Sequence, residues 1–599
     1  MRTIARCGFL FFVLIVGAVS ARAEEVSSYA LDPLIISKRR VHLLPAQSLS
    51  GDDLQERETS SLLQSLSFLS LDMQSRSLGG GIQSDVSLRG STFQGVLFLL
   101  NGKRINDPQT AHHNADIPFT TEDIRKIEVT PGVSSALFGP DSIGGAIHFM
   151  IKKPQERIRV AKIGMGDYQT AGALVSIEDK FNNLGIRVSV ENKESGGFTT
   201  DTDFKKFTSS VSSSLDIPDG EYTLNFGYQE KEFGAYDFYT PHSGYLSKEW
   251  TKTYLLDTAL SLERNDLLIK PSFLWRRHFD KFALDKTQIR SRYLNHHQSD
   301  IYTPSFYLQK EIPVLGRLGA GTEYGEEKIN STNLGKYSRT HTSFFLDDSG
   351  ELTPEISYGF SLRTDDYDSF GRDFTGSASV KYRFFEPHAL YAGLARSTRV
   401  PSFTELYYND PTTLGDMNLG AEKAWNYQMG YEYDQEDVGY VLTAFVRQES
   451  DTIDWIKRTS RQSKWQVENI TDAEVFGIEQ TLRLQMRENL MLDANYTFIN
   501  KRINDQGFLY KYGPNYIRHL LNSNLVINLP FGEQSIGFTY KKKPVRDGWF
   551  LMHAALSYNL NRHSRLFLKA ENLMNVEYQE IEGIAQPGRW VEAGIRVAW

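Results

Sequence analysis

In the last ten residues, WVEAGIRVAW, Val591, Ala593, Ile595, Val597 and Trp599 fall on one side of an extended strand. Glu592, Gly594 and Arg596 fall on the other, because side chains along a strand alternate sides with a period of two. The same alternation sets Tyr222, Leu224, Phe226 and Tyr228 against Thr223, Asn225, Gly227 and Gln229, and Ile536, Phe538 and Tyr540 against Gly537 and Thr539. A strand with one apolar and one polar face suits a soluble sandwich, or a membrane barrel that shows lipid its apolar side and a lumen its polar side. From about Arg157 onward such segments recur, separated by clusters such as NKESGGFTTDTD and LDIPDGE, with no helical block and no repeat of fixed length.

Before residue 153 the texture changes. The stretch SGDDLQERETSSLLQSLSFLS predicts one capped amphipathic helix with Leu54, Leu62, Leu63 and Leu66 on its apolar face. In VSLRGSTFQGVLFLLNGKRINDP two apolar runs of strand length are closed by tight-turn signals, Arg89-Gly90 and Asn101-Gly102, and the polar loop QTAHHNADIPF follows. Gly139-Pro140 and Gly144-Gly145 permit the turns that return AIHFMI as a strand, and Gly132 breaks the chain ahead of the short helical SSALF. A small α+β domain, residues 41–153, is expected ahead of an all-β domain, residues 154–599.

Residues 1–23 have the form of an export signal: Arg2 and Arg6, an apolar run from residue 8 to 19, and Ala21-Arg22-Ala23 as a cleavage pattern. That run is too short for a transmembrane helix, and nothing later approaches the ~20 apolar residues one needs. The single cysteine, Cys7, lies in the signal, so disulfides, thiolate metal sites and cysteine catalysis are excluded from the exported chain. Losing Arg2, Arg6 and Arg22 takes the formal charge from −8 to about −11, which argues against a nucleic-acid partner. With 30 Tyr and 36 Phe, aromatics reach 12%, a richness that favours the membrane barrel, whose rims are aromatic.

The segments VSLRG, GVLFLLNGKRINDP and EDIRKIEVTPGVSSALFGPDSIGGAIHFMIKKP resemble, in order and spacing, the plug signatures of TonB-dependent outer-membrane receptors. RVPSFTELYYNDP, VENITDAEVFGIE and the closing KAENLMNVEYQEIEGIAQPGRWVEAGIRVAW are similar to that family's later motifs, so the resemblance covers nearly the whole chain. It implies a 22-stranded antiparallel transmembrane β-barrel with the α+β domain as a plug in its lumen. It further implies an outer-membrane location, a monomer surrounded by outer-membrane lipid, and active import of a scarce, bulky solute such as cobalamin or an iron–siderophore complex. Sharing 446 residues among 22 strands leaves ~20 for each strand with its connection, and such modest loops resemble the compact cobalamin-receptor branch.

A plugged pore needs work to open, and there is no phosphate-binding loop to draw on a nucleotide. The resemblance assigns that work to TonB of the inner-membrane TonB–ExbB–ExbD complex, and residues 24–40 to a periplasmic segment carrying the contact. Its TonB-box-like core is Asp32, Pro33, Leu34, Ile35, Ile36 and Ser37, a segment suited to adding a strand to a partner's sheet through main-chain hydrogen bonds. Candidate solute contacts are Gln109, His112, His113 and Asn114 in a plug loop of the kind that faces the outer vestibule, with Tyr407 and Tyr408 in the barrel segment SFTELYYND. The imidazoles could ligate haem or another metal complex, although no histidine lies between His388 and His519, where haem receptors of the family carry one. Asp201 and Asp203 offer oxygen ligands for a structural, loop-ordering calcium ion. No other cofactor is expected. An outer-membrane barrel enzyme is the alternative of a different class, and it lacks both a G-x-S-x-G elbow and an H-E-x-x-H pair.

Overall fold

A computed structural model describes residues 44–599 apart from residue 60 and the short stretches 77–80, 240–242, 289–292, 314–315, 505–506 and 514. The segment expected to contact TonB, residues 32–37, lies outside the described residues, as does the signal region.

The alternating segments become 22 antiparallel strands, from Ile158–Gly166 to Trp590–Ala598, and the last pairs with the first, Glu592 opposite Gly166 and Ala598 opposite Val160. Closure chooses the barrel over the sandwich. In the strand Phe204–Ile217, Lys206, Thr208, Ser210, Ser212 and Ser214 are buried toward the lumen, while Phe207 and Val211 face outward. At one end of the barrel the connections are tight: Asn265 and Asp266 both take left-handed φ values, 51° and 61°, between the strands Lys248–Arg264 and Leu267–Ala283. The longer connections 196–203, 400–421 and 572–589 lie at the opposite end, the arrangement of outer-membrane barrels with short periplasmic turns and longer outer loops.

Inside the lumen sits a five-stranded sheet in the order Gln47–Ser50, Ile124–Pro131, Gly145–Ile151, Val96–Leu100, Lys103–Arg104. Its one parallel pair joins Val96–Leu100 to Gly145–Ile151. The tight-turn signals read from the sequence are present: Asn101 and Gly102 have φ of 47° and 84° and set Leu100 opposite Lys103, and Arg89 and Gly90 have 49° and 71°. Gly144 allows a close approach, since a Cβ there would stand 2.4 Å from Ser91 Oγ. The single expected helix is instead two, Gly51–Glu56 and Leu62–Leu66. Glu58 adopts φ 46° between them, and Ser61 caps a new start by accepting from the Gln64 N–H; a left-handed residue cannot continue a right-handed helix.

Leu54, Leu66, Phe98, Ile127, Ile147 and Phe149 form the plug's apolar core. The plug sheet ends at Ile151 and the first barrel strand begins at Ile158, at the tight-turn end. Plug and wall meet through ion pairs, Arg57 on Asp493 at 3.2 Å, Lys103 on Asp257, Arg104 on Glu327 and Arg187 of the wall on Asp123 at 3.1 Å, and through apolar contacts: Leu255, Leu274 and Ile301 of the wall join the plug's cluster, and Val133 and Ala136 of the plug pack with Tyr391 and Ala395. Between them, near Lys103, Lys153, Glu221 and Asp257, lies a cavity of about 1080 Å³ that faces the tight-turn end.

Candidate functional site

The outward-facing tip of the plug is built by Asp107. Its backbone N–H donates to Asn114 Oδ1 at 2.8 Å, which closes the loop on itself, and its Oδ1 accepts from the Gln109 N–H at 2.8 Å, a local turn that Asp forms readily. Its Oδ2 accepts from Ser299 Oγ at 3.0 Å and is paired with Arg276, both on the barrel wall; Arg276 also donates to the His113 carbonyl at 3.0 Å. The loop is thereby fixed both internally and to the wall, with Asn114 and His113 buried.

A barrel loop comes down on this tip. The short helix Phe403–Tyr407, capped by Ser402, points its first N–H groups at the plug: Phe403 donates to the Pro108 carbonyl at 2.8 Å and Thr404 to that of Gln109 at 3.1 Å. Tyr407 stacks on Tyr337 with ring centres 3.5 Å apart. Tyr408 packs with it against the cluster of Phe403, Leu406 and Trp455, and burial pushes its phenol pKa up, reinforced by Asp410. Of the six residues singled out as solute contacts, Gln109, His112, His113 and Asn114 thus share the plug tip, and Tyr407 and Tyr408 lie on the loop whose helix grips it.

The adjacent histidines part company. His112 is half-buried, its ring stacked on Phe93 at 4.6 Å and edge-on to Tyr239, with Nδ1 2.7 Å from Asp85 Oδ1. Burial disfavours charge on both partners, yet Arg76 at 2.8 Å and His112 together hold the Asp85 carboxyl down at about 2; burial lowers the His112 pKa in spite of Asp85. His113 is 3% exposed and points into the wall. Its Nε2 stands 3.6 Å from Asp280 Oδ2 and 3.8 Å from Glu249 Oε1, its Nδ1 3.7 Å from Asp116 Oδ2, and its ring 4.5 Å from that of His278. Burial opposes the imidazolium, but Asp116 and Asp280 outweigh it and raise the His113 pKa well above its usual value.

Glu249, His278 and Asp280 carry no motif; only alternation marks them as lumen-facing. Asp201 is paired with Lys286, which follows the strand Leu267–Ala283, and neither it nor Asp203 joins the carboxylates around His113.

A family model described as TonB dependent receptor-like, beta-barrel, matches residues 178–573, and one described as TonB-dependent Receptor Plug Domain matches residues 42–146. Among curated relatives, the vitamin B12 transporter BtuB of Vibrio vulnificus is 26% identical over 467 residues, covering 72% of this chain and 71% of its own. The protein of that name from Photobacterium profundum is 23% identical over 432 residues, 67% of each chain. Among solved structures, the siderophore receptor PirA from Pseudomonas aeruginosa superposes with a TM-score of 0.73 at 17% identity, covering 94% of this chain and 100% of its own. The ferric enterobactin receptor PfeA, in complex with BCV-L6, does so with 0.74 at 16% identity, covering 92% and 99%. At such identities the likeness is one of fold.

Proposed function

The chain belongs to the TonB-dependent receptors of the outer membrane, and on that premise we propose that it captures a cobalamin-class solute at its outer mouth and passes it into the periplasm with energy delivered by TonB. It acts as receptor and transporter, without a catalytic role. One observation carries the reading: a plug fills the lumen and is held to the wall by ion pairs and hydrogen bonds. Such contacts exchange with water at small net cost once the plug is pulled, whereas a resting plug blocks a bulky solute. The curated relatives named as vitamin B12 transporters favour cobalamin over an iron–siderophore complex or haem as cargo. The aromatic mouth around Tyr337, Tyr407 and Tyr408 suits a broad, partly planar molecule.

TonB would engage residues 32–37 by strand addition, which uses backbone N–H groups. Proline removes a donor and fixes φ, so Ile35→Pro should abolish accumulation of radiolabelled cyanocobalamin while surface binding persists, and Ile35→Ala should do much less. Accumulation by Ile35→Pro cells that an inner-membrane uncoupler still blocks would move the handle elsewhere in the chain. Wild-type cells that bind no cyanocobalamin, yet take up a ferric siderophore, would replace the cargo and keep the mechanism.

A further inference from the structure

Around His113 the structure gathers more buried carboxylate than its cations can serve. Glu249 and Asp280 are 1% and 6% exposed, and the neighbouring basic side chains are already engaged: Lys231 with Asp116, Arg276 with Asp107, Arg76 with Asp85. Buried ionised carboxylates are costly unless paired or coordinated to a metal. Glu249 Oε1 and Asp280 Oδ1 nonetheless have no hydrogen-bond partner among the described residues.

We propose that His113 of the plug, with Glu249 and Asp280 of the barrel wall, binds a divalent first-row transition-metal ion such as zinc. The three offer ligand atoms that all lie within 4.8 Å of one another. A tetrahedral ion with bonds of about 2.0 to 2.2 Å holds its ligand atoms about 3.3 to 3.6 Å apart, and the His113 Nε2 distances to Asp280 and Glu249 are 3.6 and 3.8 Å. The groups behind the ligands are in place as well. Tyr239 donates to Glu249 Oε2 at 2.8 Å, Gln109 Nε2 donates to Asp280 Oδ2 at 3.0 Å, and Asp116 stands behind His113 Nδ1, the carboxylate–histidine arrangement that orients a metal-bound imidazole. One nitrogen and two oxygen donors suit zinc, manganese or ferrous iron better than calcium, which takes six to eight oxygens.

The site lies beneath the outer mouth, with two ligands on adjacent wall strands and one on the plug, so the ion cross-links the two domains. It is independent of the transported solute and stands whichever cargo is correct. The test uses the full-length protein, purified in detergent and stripped with EDTA, titrated with zinc chloride by calorimetry and checked by elemental analysis. One zinc per chain is expected. The isosteric changes Glu249→Gln and Asp280→Asn should each weaken it by about a hundredfold, and Asp116→Asn by about tenfold. Cobalt(II) in place of zinc should show a visible d–d spectrum that Asp280→Asn alters, which reads the ligand set directly even if a variant's affinity is hard to measure. No zinc taken up by the wild type would mean that Glu249 and Asp280 share a proton instead, and zinc held equally by wild type and Asp280→Asn would place any ion elsewhere; either result overturns the proposal.

Discussion

The plug and the barrel bury opposite things. Inside the plug, Leu66, Ile127 and Phe149 have no exposed surface, and the domain holds together as soluble domains do, by withdrawing apolar area from water. Inside the barrel the largest fully buried side chains are arginines, Arg187, Arg276, Arg399 and Arg447, while Phe344 and Phe374 on the outside are 61% and 53% exposed and are covered by lipid. Burial therefore means three things in one chain: an oily core in the plug, a seam where ion pairs alternate with small apolar clusters between plug and wall, and an outer apolar band. The difference teaches why the plug can be both sealed and removable. A wholly apolar seam would weld the domains at roughly 25 cal/mol for each Å², whereas the ion pairs and hydrogen bonds that share the seam with the apolar clusters surrender little net free energy when water replaces them.

Breaking the plug's own core should cost most. Phe149→Ala is expected to destabilise the plug by about 3 to 5 kcal/mol, seen as faster amide hydrogen exchange in the strand Gly145–Ile151 than in the barrel strands; equal acceleration throughout the barrel would mean that the plug does not loosen on its own. At the seam the effect should be smaller. Asp257 receives Lys103 and, at 2.8 and 3.1 Å, the amides of Asn101 and Asn225, but it also borders the cavity, where water can take its place. Asp257→Ala should therefore cost about 2 kcal/mol, read as a lower urea midpoint for plug exposure with the barrel midpoint fixed. On the outside, Arg372 and Asp366 form a pair at 2.6 Å whose side chains are 73% and 47% exposed. Arg372→Ala should change thermal stability by less than about 1 kcal/mol, and a larger loss would show that exposed pairs do more here than a solvated contact can.

Much of this division was legible in the sequence. The alternation of Tyr222 through Gln229 marked which side chains face inward, and Asn225 and Gln229 are indeed buried while Tyr222 faces out. Asn101-Gly102 announced its turn because few residues other than Asn and Gly adopt left-handed φ without cost. Glu58 gave no such warning, and its left-handed φ divided a helix that the apolar spacing had joined. The surroundings of His113 were illegible for another reason. Glu249 and Asp280 lie more than a hundred residues away, and which wall residue meets which plug residue depends on barrel register and on how deeply the plug sits. Alternation supplies the face, and tertiary docking supplies the neighbour.

The grip of the loop helix on the plug tip has a consequence for substitution. Phe403 and Thr404 hold Pro108 and Gln109 through main-chain N–H and carbonyl groups alone, so the hold is indifferent to which side chains stand there, with proline at a donating position the exception. Substitutions around the mouth, and with them a changed taste in cargo, therefore leave this clasp between loop and plug intact.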